Sequence, residues 1–325
     1  MKLRRLVRLA TGADGRPFLI LAAVYGAIAA ADLGHGSLLH VATIFSVTQL
    51  FATLGLVALG LGLTMIVGEF DLSVAGSFTV AGALAVLTGA EHPLLGAVCG
   101  LAAGLVAGAI QGALIVGLSI SSVGLTLGGL LTLFGITYML TGGTTIPYLN
   151  HRAASWLYQP TLWGLLSNRG LIVLAIFVVA ALLLWFTRIG RDITATGSNR
   201  AGASVAGVNT AAVIIGVFAA AGALAALGGV LLSYSLEAAS ATQLSDTLVA
   251  AASAAILGGV SLSGGKGQPL GIAAGVLTIC VLRSGLSAIG ANPYMLEIAT
   301  GTLLLVVAIF DAPRFLEKVR SLRPR

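Results

Sequence analysis

Apolar runs of about 20 residues recur from one end of this chain to the other, and that is the length of helix needed to cross a bilayer. Ten can be marked, over 17–33, 41–67, 74–90, 94–115, 123–142, 170–187, 211–235, 246–262, 268–289 and 293–311. Charged residues make up 9% of the chain and the mean hydropathy is +1.04, whereas a soluble domain carries about 25% charged residues. In lipid every backbone polar group must find its partner within the protein, so isolated runs of this length read as helices. The expected fold is an all-α polytopic membrane protein of about ten transmembrane helices, with residues 1–325 forming a single transmembrane domain. Its 44 glycines are expected mainly at helix–helix contacts, because small residues let backbones approach where lipid supplies no hydrophobic drive.

The placement of charge sets the orientation. Lys2, Arg4, Arg5, Arg8 and Arg16 precede or open the first run. Arg188, Arg191 and Arg200 lie in one central polar stretch, and Lys266 lies between the eighth and ninth runs. Arg314, Lys318, Arg320, Arg323 and Arg325 follow the last run. With ten spans all of these share one side, which the positive-inside rule assigns to the cytoplasm together with both termini. Arg152, Arg169 and Arg283 fall elsewhere. The net charge of +6 is thus a topology signal, and no nucleic-acid partner is expected. The basic start followed by an apolar run and Ala29-Ala30-Ala31 resembles a signal peptide. Removing it would leave nine spans and break the charge pattern, so an uncleaved first helix is expected. Cys99 and Cys280 fall inside apolar runs and read as small buried residues. His35, His40, His92 and His151 fall on the outer side without ligand spacing, and no metal site is expected.

The central polar stretch, Thr187–Asn209, cannot lie in lipid, where each Arg at a helix centre costs roughly 2.5 to 3.5 kcal/mol. It carries the signature of a short helix, with Ser198 or Asn199 as N-cap and Gly207 as a left-handed closing residue. A short cytoplasmic helix on a membrane bundle has docking as its plausible use. The other long polar stretch, 143–169, falls outside. Its Tyr148, Trp156, Tyr158 and Trp163, with Arg152, suit either an interfacial aromatic belt or a rim that receives an external partner.

Two shorter breaks look alike: GEFDLSVAGS (68–77) and GGVSLSGGKG (258–267). Aligned by residue, Gly68 matches Gly258, Leu72 matches Leu262 and Ser73 matches Ser263. Broken helices at corresponding positions of an internal repeat are a transporter pattern. Ionisable groups beside or within the runs are Glu69, Asp71, Glu237, Asp246, Arg283, Glu297 and Asp311, and such groups are functional candidates. Asp71 can cap the helix that starts near Ser73 or line a pathway. Glu297 is the deepest by these boundaries, with Arg283 as a possible partner. No HExxH or GxSxG motif is present. Ser263–Gly267 fails as a phosphate loop because Gly267 follows Lys266 and Val260 stands at the required glycine. The chain is expected to hold no cofactor and to catalyse no reaction.

Asp71-Leu72-Ser73-Val74, Thr141-Gly142-Gly143, and Gly190-Arg191 with Ala195, Gly197, Asn199, Ala203, Gly207 and Asn209 make a specific set. Leu257-Gly258-Gly259 with Ser261 to Gly265 and Gly267 completes it. Over nearly its whole length the chain resembles the permease subunits of bacterial ATP-binding-cassette importers of the ribose and related monosaccharide type. The resemblance implies a multi-pass protein of the bacterial inner membrane. It implies cytoplasmic ATP-binding subunits as partners that bind the ATP, an extracytoplasmic solute-binding protein, and a second permease chain, identical or not. It also implies a coupling helix near Asn199 to Gly207, with Gly190, Arg191, Gly197, Asn199, Ala203, Gly207 and Asn209 as coupling residues. Candidate pathway residues are Gln49, Thr64, Ser73, Gln111 and Thr126, hydroxyl and amide groups suited to a neutral polyol, together with the carboxylate of Asp71. The chain departs from the family pattern at Gly68-Glu69-Phe70, at Gly202-Ala203 where a paired Ala-Ala is common, and at Leu248-Val249-Ala250. The rival cargoes are a nucleoside, an autoinducer-type furanosyl compound or an amino acid. A rival mechanism is a proton- or sodium-coupled carrier, which would need an essential buried carboxylate such as Glu297.

Overall fold

The structure, a computed structural model, describes residues 15–32, 36–240 and 247–321, with side chains of 247 and of 308–321 left out. His35 and Asp246 therefore lie outside the described residues, as do the side chain of Asp311 and the N-terminal Lys2, Arg4, Arg5 and Arg8. Helix α1 covers Arg16–Ala31, α2 Val41–Ile66, α3 Val74–Thr88, α4 Pro93–Leu118 and α5 Ser122–Thr141. After an outer segment containing α6 (His151–Tyr158), α7 runs over Asn168–Phe186. Two short helices, α8 (Arg188–Ser198) and α9 (Arg200–Val205), precede α10 (Thr210–Ser235). Helices α11 (Thr247–Leu257), α12 (Pro269–Ala288) and α13 (Pro293–Ser321) complete the chain. Six of these, α2, α4, α5, α7, α10 and α12, are long and apolar enough to cross a membrane unaided, and α1, α3, α11 and α13 supply four shorter apolar segments. The ten segments fall at the ten expected places, eight of them with ends within three residues of those expected.

One span is much shorter than its sequence suggests. Helix α11 ends at Leu257 rather than near 262. Its 11 residues reach about 16 Å at 1.5 Å per residue, half of a hydrocarbon core about 30 Å thick. Helix α13 errs the other way and continues to Ser321, past the expected 311.

The bundle is built around α2. From Leu54 to Ile66 every residue of this helix is buried, which matches its all-round apolar composition. It packs against α3, α7, α10, α11 and α12. The tightest contact, between α4 and α10, is set by glycine. Gly96, Gly100, Gly104, Gly108 and Gly112 recur every four residues along α4 and all are buried, so they form one smooth stripe. A Cβ at Gly108 would stand 2.1 Å from the Phe218 carbonyl oxygen, and one at Gly104 2.4 Å from that of Gly222. Helix α5 lies outermost and turns Leu127, Leu131 and Met139 outward.

The outer segment 143–167 is pinned by two short ribbons. Strand β1 (Ile146–Pro147) pairs antiparallel with β4 (Ala238–Ala239), and β2 (Pro160–Thr161) pairs with β3 (Leu166–Ser167). Tyr148 is buried and stacks on Tyr234 with ring centroids 4.3 Å apart, and its hydroxyl donates to the Gly89 carbonyl at 3.2 Å. Trp163, at the tip of the β2–β3 hairpin, is 92% exposed with φ +59°. At the opposite end lie α8, α9 and both helix breaks. The positive-inside rule places that end in the cytoplasm.

Candidate functional site

Helix α8 follows α7 with Thr187 as the single intervening residue. So sharp a reversal leaves no room for a side chain at Gly190, where a Cβ would stand 2.1 Å from the Leu184 carbonyl oxygen. The sequence suggested one short helix near Asn199–Gly207, and the structure has two. Asn199 separates them, and its side chain caps α9 by accepting from the Gly202 N–H at 2.9 Å. Gly207, at φ +87°, closes α9: its N–H donates to Ser204 and that of Val208 to Ala203, the reciprocal pattern of a Schellman ending. Asn209 then caps α10 by accepting from the Ala212 N–H at 3.0 Å. On the knob so formed Ala203 faces the bundle, Arg191 and Asn199 face outward, and Val205 is 92% exposed.

The two breaks share a helix ending. Helix α2 closes with Gly68 at φ +88°, whose N–H donates to Met65 while that of Glu69 donates to Thr64. Helix α11 closes with Gly259 at φ +82°, whose N–H donates to Ile256 while that of Val260 donates to Ala255. Gly68 therefore corresponds to Gly259, one residue on from the Gly258 suggested by the letters. Both breaks open at the same end of the bundle, so the two motifs are parallel rather than inverted.

These breaks touch each other and α8. The Gly265 N–H donates to the Ile66 carbonyl at 2.8 Å. Gly197 sits over that bond: a Cβ there would stand 1.9 Å from the Ile66 oxygen and 2.7 Å from the Gly265 nitrogen. A Cβ at Gly264 would likewise meet the Gly197 oxygen at 2.7 Å and Gly68 Cα at 2.9 Å. Glu69 reaches the start of α9, where its Oε1 accepts from Arg200 Nη2 at 2.6 Å.

Four of the six candidate pathway residues converge just beyond. Asp71 Oδ1 accepts from the Ser73 N–H at 2.9 Å and from Ser73 Oγ at 2.6 Å, and Ser73 Oγ accepts from Gln111 Nε2 at 2.7 Å. Thr126 Oγ1 accepts from the Leu72 N–H at 3.1 Å and donates to the Phe70 carbonyl at 3.2 Å. Helix α5 thus satisfies backbone groups that the break frees, a necessity at membrane depth. Thr64 lies one turn before the break and bonds its own helix at Leu61. Gln49 is remote from this cluster. It accepts from Arg169 Nη2 through its backbone oxygen at 2.9 Å and through Oε1 at 2.8 Å, and donates to Ser167 Oγ at 2.6 Å. Arg169, 4% exposed, is thus held by neutral acceptors near the outer end, a feature that nothing in the local sequence announces. Glu297 is paired with Arg283, as its spacing suggested, but its side chain is 61% exposed, so it is not the buried carboxylate a carrier would need. His151 Nδ1 lies 2.6 Å from Glu237 Oε2, and among the described residues no group of three or more metal-ligating side chains occurs.

Asp71 is fully buried and its Oδ2 has no partner.

Two cavities flank the bundle. One of about 300 Å³ lies at the cytoplasmic end between Glu69, Ile115, Val116, Ser119, Ile120, Arg200 and the start of α10. The other, of about 380 Å³, lies at the outer end between α2, α12 and α13, and presents Thr43, Ser46, Arg283, Ser284 and Ser287.

The model of a family described as "Branched-chain amino acid transport system / permease component" matches residues 43–308. Among curated proteins, the ribose import permease protein of Bacillus subtilis is 30% identical over 277 residues, 85% of this chain and 86% of the relative. The L-arabinose transport system permease protein of Escherichia coli is 29% identical over 274 residues, 82% of this chain and 80% of the relative. The autoinducer 2 import system permease protein of Yersinia enterocolitica is 31% identical over 301 residues, 92% of this chain and 82% of the relative. No solved structure shows significant similarity to the chain. With two helix breaks seated on one short polar helix, and a family match that takes in both, the chain belongs to the branched-chain amino acid transport system permease component family.

Proposed function

We propose that this chain is the membrane-spanning subunit of an ATP-binding-cassette importer for a neutral monosaccharide. It works in the bacterial inner membrane beside a second permease chain, identical or not. The observation that carries this reading is the seat of α8 and α9: a cytoplasmic knob with Val205 outward, locked by Gly197 onto both helix breaks. A separate ATPase subunit docks on the exposed residues of the knob, Arg191, Asn199 and Val205 among them. Gly190, Gly197, Ala203, Gly207 and Asn209 give the knob its shape and its grip on the spans. Closure of the motor displaces α8, the two breaks move with it, and the bundle switches access. The extracytoplasmic binding protein docks on the rim around Trp156, Tyr158 and Trp163.

The cluster of Asp71, Ser73, Gln111 and Thr126 serves as the polar hinge of the first break, with Thr64 beneath it. The outer cavity is the entry to the path. Its volume falls in the range of small-molecule sites, about 300 to 1,000 Å³, and its hydroxyls suit a polyol. Gln49, one turn of α2 from Ser46, orders this mouth through Arg169.

Reconstituted into vesicles with its ATPase and binding protein, the permease is expected to accumulate radiolabelled D-ribose or L-arabinose in an ATP-dependent manner that survives collapse of the proton gradient. Loss of uptake with the gradient would overturn the reading. The autoinducer permease relative, which spans most of this chain, favours a furanosyl compound as second reading. Uptake of such a compound with neither pentose transported would select it.

A further inference from the structure

We propose that Glu69 and Arg200 form the strut through which α9 pulls on the first helix break, and are therefore positioning residues for transport. The inference rests on the coupling role given to α8 and α9 above. Glu69 is fixed to the end of α2 by its own backbone, through its N–H bond to the Thr64 carbonyl at 2.9 Å. Arg200 opens α9, directly after the cap residue Asn199. The 2.6 Å bond between their side chains joins positions 131 residues apart in sequence.

The other contacts between the knob and the breaks are of a different kind. Gly197 meets Ile66, Gly264 and Gly265 in close backbone approach. Such contacts resist compression. They offer little resistance to separation, because dispersion attraction between single atom pairs is small. A charge-assisted hydrogen bond resists separation and has a direction. Pushing would thus run through Gly197, and pulling through Glu69 and Arg200.

The setting strengthens the pair. The Glu69 side chain is 12% exposed and that of Arg200 48%. Both line the 300 Å³ cavity whose remaining walls include Ile115, Val116, Ile120 and Ile214. Apolar walls thin the water around the carboxylate, so the attraction is screened less than in a fully exposed pair. Losing Arg200 would strand a largely buried charge, whereas losing Glu69 would free an arginine that can turn to water. The two single variants should therefore share a coupling defect and differ in stability.

The test uses the full transporter, permease with ATPase subunits and binding protein, in vesicles. It compares wild type, Glu69→Gln, Arg200→Gln and the exchange Glu69→Arg with Arg200→Glu. Retention of the ATPase subunits, ATP hydrolysis and uptake of radiolabelled D-ribose or L-arabinose, whichever the wild type carries, are read on each. Both single variants are expected to retain the ATPase and hydrolyse ATP while uptake per ATP falls at least about fivefold, the lower end of usual coupling factors. The exchange is expected to recover most of the loss. Single variants with wild-type uptake per ATP, or an exchange as impaired as the worse single variant, would overturn the strut and leave the coupling role of α8 and α9 standing. A wild-type permease that does not retain the ATPase would overturn both.

Discussion

Gly108→Leu is expected to abolish the folded protein, the largest stability effect of any single substitution considered. The backbones of α4 and α10 touch along the glycine stripe. A Cβ at Gly108 would already lie 2.1 Å from the Phe218 carbonyl oxygen, and 3.2 Å from Ala219 Cα. The opposing surface cannot yield as a side chain would. Across the stripe Gly222 and Gly104 are reciprocally close, with Cβ positions 2.2 Å and 2.4 Å from each other's carbonyl oxygens. Two turns further along the same face of α10 a Cβ at Gly229 would meet the Phe78 carbonyl oxygen at 2.0 Å, so the backbone of α10 is held as closely to α3 as to α4. Overpacking an ordinary core costs about 1–3 kcal/mol, and a clash of main chain against main chain belongs at or above the top of that range. Helix association in lipid has packing as its chief drive, so little remains to offset the loss. Gly117→Leu on the same helix is the control, since nothing lies within 4 Å of its Cβ position. The control is expected to elute as a single sharp species in detergent at wild-type level, and Gly108→Leu to aggregate or fail to accumulate. Equal behaviour of the two would show that α4 and α10 are not in backbone contact.

The ten segments were legible because hydropathy over about 20 residues is a local property, and so were a cap at Ser198 or Asn199 and the Gly207 closure, which depend on single residues. What escaped depends on contacts between distant parts. The end of α11 is hidden because Val260 and Leu262 keep the window apolar although Gly259 has already closed the helix. Matching letters placed Gly68 opposite Gly258, whereas the hydrogen bonds place it opposite Gly259, since two adjacent glycines offer the sequence no means of choosing. Glu297 looked deep by span boundaries, but depth along a helix does not tell which face a side chain is on. Glycine content was read correctly as packing, yet the four-residue spacing from Gly96 to Gly112, present in the letters, was the stronger signal. The bonds of Glu69 to Arg200 and of Gln49 to Arg169 each span more than 100 residues, and no local pattern foretells them. Asp71, Ser73, Gln111 and Thr126 were chosen one by one for their chemistry. That they meet at one break is a property of the fold.

Gly197→Ala is expected to leave the permease folded and able to hold its ATPase, yet severely impaired in transport. Alanine is the better helix former by about 1 kcal/mol, so on propensity alone the substitution would strengthen α8. Its methyl group, however, would stand 1.9 Å from the Ile66 carbonyl oxygen and 2.7 Å from the Gly265 nitrogen, the two atoms of the bond that joins the breaks. Helix α8 must then lift away or the bond must open. Either change removes the rigid path by which a displacement of the knob reaches both breaks. The effect stays local, because Gly197 is the penultimate residue of α8 and the close contacts of its Cβ position are with the breaks rather than with the glycine stripe of α4. The exposed face formed by Arg191, Asn199 and Val205 is left unchanged in composition, so binding of the motor should persist. Uptake per ATP is expected to fall by a factor toward the upper end of the about 5- to 150-fold range of coupling between sites, with a detergent elution profile like that of wild type. If uptake in vesicles stays within about twofold of wild type, a difference of about 0.4 kcal/mol, then α8 is not seated on the breaks during transport, and the force must enter the spans by another route.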